Sequence, residues 1–167
     1  MKFTTTLISL FATMGFAAPG TPPPSGGFHP TPVSGPLGKR FNYTPDSSKN
    51  NLCGEANPVD RTSEASPKAS DCWEIPTKSS PANTPGYWTL SPTEAGSGQW
   101  FSLGTYGTCE FKIRSKEAKE LQFSTNDVKF YIDAHTHTGF DEEGRIELAS
   151  PVYCGGNVQA EWAIAHV

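Results

Sequence analysis

The sequence predicts an α+β fold: a two-layer sandwich in which an antiparallel sheet of four or more strands carries two helices on one face, closed by two disulfides. Three observations predict it. Alternating apolar and polar runs flank glycine turns in the middle and at the end of the chain, two helical stripes are interspersed with them, and four cysteines stand without any Cys-x-x-Cys spacing. Strands and helices in mixed order, with hairpins and no internal repeat, pack most economically as helices on one face of an antiparallel sheet.

The first 40 residues read as segments outside that fold. Lys2 supplies a positive start, Leu7 to Phe16 an apolar run, and Gly15-Phe16-Ala17 the small residues of a signal-peptidase site, so residues 1–17 read as a signal peptide cut after Ala17. The run is too short to span a bilayer, and a secreted, extracellular protein is expected. Residues 18–40 hold seven Pro and five Gly and end in Lys39-Arg40. This composition suits a stiff spacer without a core, and the dibasic pair marks it as a propeptide or linker cut after Arg40 by a kexin-type protease. Removing residues 1–40 takes away three basic residues (Lys2, Lys39 and Arg40) and no acidic one, which deepens the net charge from −4 to −7. Residues 41–51 are expected to be a flexible N-terminal segment. They contain Asn42-Tyr43-Thr44, a glycosylation sequon that makes Asn42 a candidate glycan site.

The stapled domain is expected over 52–167. Ser66-Pro67 resembles an N-cap with proline at the first helical position, starting a helix that turns Ala69, Cys72 and Trp73 inward and ends or kinks by Ile75 before Pro76. Tyr87 to Leu90 has strand propensity, and Pro92 to Gly98 reads as a turn. Gln99 to Ser115 reads as a hairpin or bulged strand pair, with Trp100 to Leu103 before Gly104 and, after Gly107, an alternating run that puts Cys109, Phe111 and Ile113 on the buried face. Lys119 to Phe123 is a further strand. Ser124-x-x-Asp127 is a capping box ahead of Val128, Tyr131, Ile132 and His135, with Gly139 as the stop. Two last strands, Arg145 to Cys154 and Gln159 to Val167, join at Gly155-Gly156-Asn157.

Cys53, Cys72, Cys109 and Cys154 are separated by 18, 36 and 44 residues, which suits two disulfides and not the close ligand pairs of a zinc site. Three connectivities are open. The shared buried faces of a helix and a strand lean to Cys72–Cys109, which leaves Cys53–Cys154.

Little points to chemistry. A chain with 13 basic and 17 acidic residues gives no reason to expect a nucleic-acid partner. Asp133, His135 and His137 could pass for metal ligands, but residues two apart on a helix point to different faces. Asp141-Glu142-Glu143-Gly144 reads as a solvated acidic turn. Glycoside hydrolysis instead needs a carboxyl group raised by an apolar pocket. No nucleophile elbow, phosphate loop or metalloprotease motif is present, so neither an enzyme nor a cofactor is expected. Among the tryptophans, Trp73 and Trp162 are expected in the core, whereas Trp88 and Trp100 border loops and stay open.

Several residues together carry a resemblance. Leu52-Cys53-Gly54, then Thr62-Ser63 and Ser66-Pro67 leading to Asp71-Cys72, a Trp88 strand, Tyr106-Gly107-Thr108-Cys109-Glu110-Phe111, Asp127-Val128, and Cys154-Gly155-Gly156 before a Trp162 strand follow one order. The pattern resembles the fungal extracellular protein two effector domain, the necrosis-inducing-factor family, over roughly Leu52 to Ile164. The resemblance implies a small secreted fungal effector with a killer-toxin-like α/β sandwich and no established catalytic residues; Pro76 and the Ala82–Gly86 loop depart from the family pattern. The expected function is non-enzymatic binding of a host or competitor protein, membrane component or glycan by a monomer. The alternatives are an antifungal killer-toxin-like protein and a carbohydrate-binding or carbohydrate-hydrolysing cell-wall protein.

Overall fold

The computed structural model describes residues 41–137, 141–155 and 157–167. The expected signal peptide with its cut at Ala17, the propeptide ending in Lys39-Arg40, the Gly139 helix stop and the middle glycine of the last turn lie outside the described residues. The chain runs β1 (Asn42–Pro45), β2 (Val59–Asp60), α1 (Ala69–Lys78), β3 (Gly86–Leu90), α2 (Pro92–Ala95), β4 (Phe101–Tyr106), β5 (Cys109–Ser115), β6 (Leu121–Ser124), α3 (Thr125–His135), β7 (Leu148–Cys154) and β8 (Val158–His166).

The α+β class holds, but the strands divide into two antiparallel sheets. The larger has the order β2-β7-β8-β5-β4 and the smaller β1-β3-β6. In β5 every second residue is buried, so Cys109, Phe111, Ile113 and Ser115 face the core while Glu110, Lys112 and Arg114 face outward. Pairing of Phe111 with Ile164 and of Ile113 with Trp162 continues the buried face onto β8. Helices α1 and α3 cover this face: Trp162 stacks on Phe111 and, at 5.0 Å between centroids, on Tyr131 of α3. Trp88, Trp162, Tyr131, Phe111 and Phe123 are the largest fully buried side chains.

Four local expectations change. Ser66 does not cap α1: Lys68 stands at the N-cap in extended conformation, while the Ser66 hydroxyl accepts from the Ser63 amide and donates to Glu147. Pro76 does not end α1, which continues to Lys78. The proline forfeits the bond its N–H would make to Cys72 O, but buried Ile75 and bridged Cys72 hold the helix against the core across that missing bond. The Pro92 region contains a short third helix, α2, closed by a capping box between Ser91 and Glu94. Finally, part of the segment expected to be flexible is ordered into β1, whose Asn42–Pro45 pairs with β3. Tyr43 packs edge-on against Trp88 at 5.4 Å and Phe41 against Phe101 at 5.8 Å, which gives this edge strand an apolar anchor.

Two disulfides cross-link the domain. Cys72 on α1 joins Cys109 on β5, and Cys53 joins Cys154 at the end of β7.

Candidate binding site

The turn after Asp141 is stapled to the start of α1. The Ala69 amide donates to Gly144 O at 2.8 Å and the Ile146 amide to Pro67 O at 3.0 Å, and Lys68 and Arg145 form an isolated bridge. Gly144 occupies the left-handed region at φ 74°, which lets the acidic turn reverse sharply before Arg145. Arg145 then organises the turn: its amide donates to Asp141 Oδ1 at 2.7 Å, its Nε to Asp141 Oδ2 at 2.9 Å, and its Nη2 to Glu143 Oε2 at 3.0 Å. The Arg145 amide, followed by its guanidinium, holds the Asp141 carboxyl group below its ordinary range.

This arrangement brings Glu143 to α1 beside Trp73. The expectation that Trp73 points into the core is wrong: it is 38% exposed. The buried stripe of α1 runs through Ala69, Cys72 and Ile75, and Trp73 lies one step around the helix from Cys72. Its indole N–H donates to Thr136 O at 3.3 Å and its ring stacks on His137 at 5.1 Å, so the side chain is fixed without being covered. A hollow of about 160 Å³ lies against it, lined by Lys68, Ala69, Ser70, Trp73, Glu143 and Gly144. His137 does not line the hollow.

The remaining sequence-predicted residues do not converge. Asp133 and His137 are exposed; His135, half-buried, stacks on Trp162 and Tyr131, and its burial lowers its pKa. Among the described residues no group of three His, Cys, Asp or Glu is placed to hold a metal ion. Trp88 belongs to the core. Trp100 is half-buried on the outer face beneath Arg114, whose guanidinium lies 4.4 Å from the ring centroid and also pairs with Glu161. Asn42 is exposed on edge strand β1, on the same face as exposed Thr44 and opposite Tyr43. The neighbourhood of Trp73 and Glu143 could not be found from sequence, because 69 residues separate them and no local pattern links the helix to the acidic turn.

A family model described as "pathogen effector; putative necrosis-inducing factor" (Hce2) matches residues 52–158. That span contains all four cysteines, Trp73 and the acidic turn. No curated protein matches the chain.

Proposed function

The chain belongs to this family of pathogen effectors and necrosis-inducing factors, and from that premise we propose that it is secreted and acts by binding a component of a host or competitor cell, not by catalysis. The observation that carries the binding reading is Trp73, an aromatic ring kept at the surface in a fixed orientation by a hydrogen bond and a stacked histidine. A large exposed ring gains free energy when a ligand covers it, and a ring already ordered loses little entropy on binding. The two disulfides and the apolar leader support secretion. The acidic turn gives hydrolysis poor support: Asp141 is held ionised by Arg145, the reverse of the raised carboxyl group a glycosidase needs.

Infiltration of the purified oxidised protein into leaf tissue tests this reading. Necrosis is expected from the folded protein, and little from reduced and alkylated protein or from Trp73→Ala. Growth inhibition of other fungi, without effect on leaves, would place the target in a competitor. Turnover of cell-wall glycans that disappears in Glu142→Gln or Glu143→Gln would overturn the non-enzymatic reading.

A further inference from the structure

The chemistry around Trp73 singles out a class of ligand. Trp73 lines the hollow together with Lys68, Ser70 and Glu143, whose side chains end in an ammonium group, a hydroxyl and a carboxylate. Among the described residues Lys68 forms no ion pair, the Ser70 hydroxyl has no hydrogen-bond partner, and Glu143 uses only Oε2, towards Arg145. A donor, an acceptor and a group that can serve as both therefore belong to the residues that line the hollow with Trp73.

We infer that the Trp73 hollow is a subsite for one pyranose ring of an equatorially substituted glycan, of the β-linked glucose or N-acetylglucosamine type. Such sugars present a flat face of C–H bonds, whose slight positive charge suits the negative face of an indole ring. Their hydroxyls radiate from the rim, where Lys68, Ser70 and Glu143 can pair with them. A hollow of about 160 Å³ is well below the ~300–1,000 Å³ of pockets that enclose a drug-sized ligand. It can therefore hold one ring of a chain whose other units remain in solvent. The fixed ring also separates this site from an ordinary exposed tryptophan: the N–H is already satisfied by Thr136, so only the flat face is on offer. A basic peptide is the rival occupant, since Glu143 also borders the groove that holds Asp60, Glu64 and Asp141. It is less favoured, because Arg145 already pairs with Asp141 and Glu143, and Lys68 would repel a cation at the ring.

The inference deepens the binding reading above and rests on it. Retention of the full oxidised protein on insoluble chitin, β-1,3-glucan and cellulose tests it, together with NMR observation of the Trp73 indole N–H during titration with the matching hexasaccharides. Retention on at least one polysaccharide is expected. Trp73→Ala should weaken it tenfold or more, Lys68→Met and Glu143→Gln severalfold, and Trp100→Ala little. The wild-type indole signal should shift on titration, a readout that does not depend on any variant folding. No retention and no shift would overturn the inference, as would retention indifferent to Trp73→Ala. Salt-sensitive binding of a poly-lysine probe that requires Glu143, without glycan retention, would assign the hollow to a basic peptide instead. Leaf necrosis that depends on Trp73 but occurs without glycan retention would remove the sugar and leave the effector reading intact.

Discussion

The carboxyl group of Asp127, buried at the head of α3, accepts from the Ser124 amide at 2.8 Å and its hydroxyl at 2.7 Å, and from the amides of Leu52 and Cys53 at 3.2 Å each. One side chain thus closes a helix and holds the segment that delivers Cys53 to its bridge. Asp127→Ala strands several buried donors and is expected to cost about 2–3 kcal/mol, measured as a lower urea midpoint at unchanged m. The helix-closing half of this role is legible in Ser124-x-x-Asp127; the half that reaches Leu52 is not, because it joins residues 75 apart. His135 makes a pH-dependent contribution. Burial against Trp162 and Tyr131 favours the neutral ring, so its folded pKa lies below the ordinary 6.5. The unfolded chain then takes up the proton first, and stability falls as pH drops from about 6.5 through the lowered folded value. The stability difference between wild type and His135→Gln should be independent of pH above that window, and the wild type should lose more stability within it as pH falls.

At the scale of elements, the two bridges differ in what they constrain. Cys72–Cys109 closes 37 residues and fixes α1 to the central strand β5, whereas Cys53–Cys154 closes 101 and pins an extended segment to the end of β7. Chain entropy assigns about 4 kcal/mol to the shorter loop and about 5 kcal/mol to the longer. Unfolding of the Cys72→Ala/Cys109→Ala and Cys53→Ala/Cys154→Ala pairs should show both losses as lowered urea midpoints. The first pair should also loosen the platform of Trp73, seen as faster hydrogen exchange in α1. A second clamp supports that platform: the Thr108 amide and hydroxyl donate to Asp71 Oδ2 at 2.8 and 2.7 Å and lower the pKa of the Asp71 carboxyl group. Gly107, at φ 55°, has no side chain to collide with it. Strand β1 shows where local reading fails. Its Asn and Pro argue against a strand, yet Tyr43 on Trp88 and Phe41 on Phe101 recover enough apolar contact to pair it with β3.

For the whole molecule, the sequence places a protease cut after Lys39-Arg40. Phe41, the first residue after the dibasic pair, already packs against Phe101, and the next residue offers the sequon side chain to solvent. Intact mass of the secreted protein is therefore expected to correspond to a chain starting at Phe41 with both bridges closed. Peptide N-glycosidase should reduce that mass, and Asn42→Gln should abolish the reduction. A start upstream of Lys39 would show that the spacer is retained as a linker.

The features legible in the sequence are those that local physics controls. The alternation of β5, the capping box of α3, the hairpin at Gly107 and the α+β class each follow from periodicity or turn chemistry within a few residues. The disulfide pairing was legible only as a shared face. Tertiary structure decided the division into two sheets, the passage of α1 through Pro76 and the exposure of Trp73 beside Glu143. Those depend on which surfaces meet when distant segments dock: contacts across tens of residues outweigh a proline or a polar strand, and the ring they leave uncovered has no signature in the sequence around it.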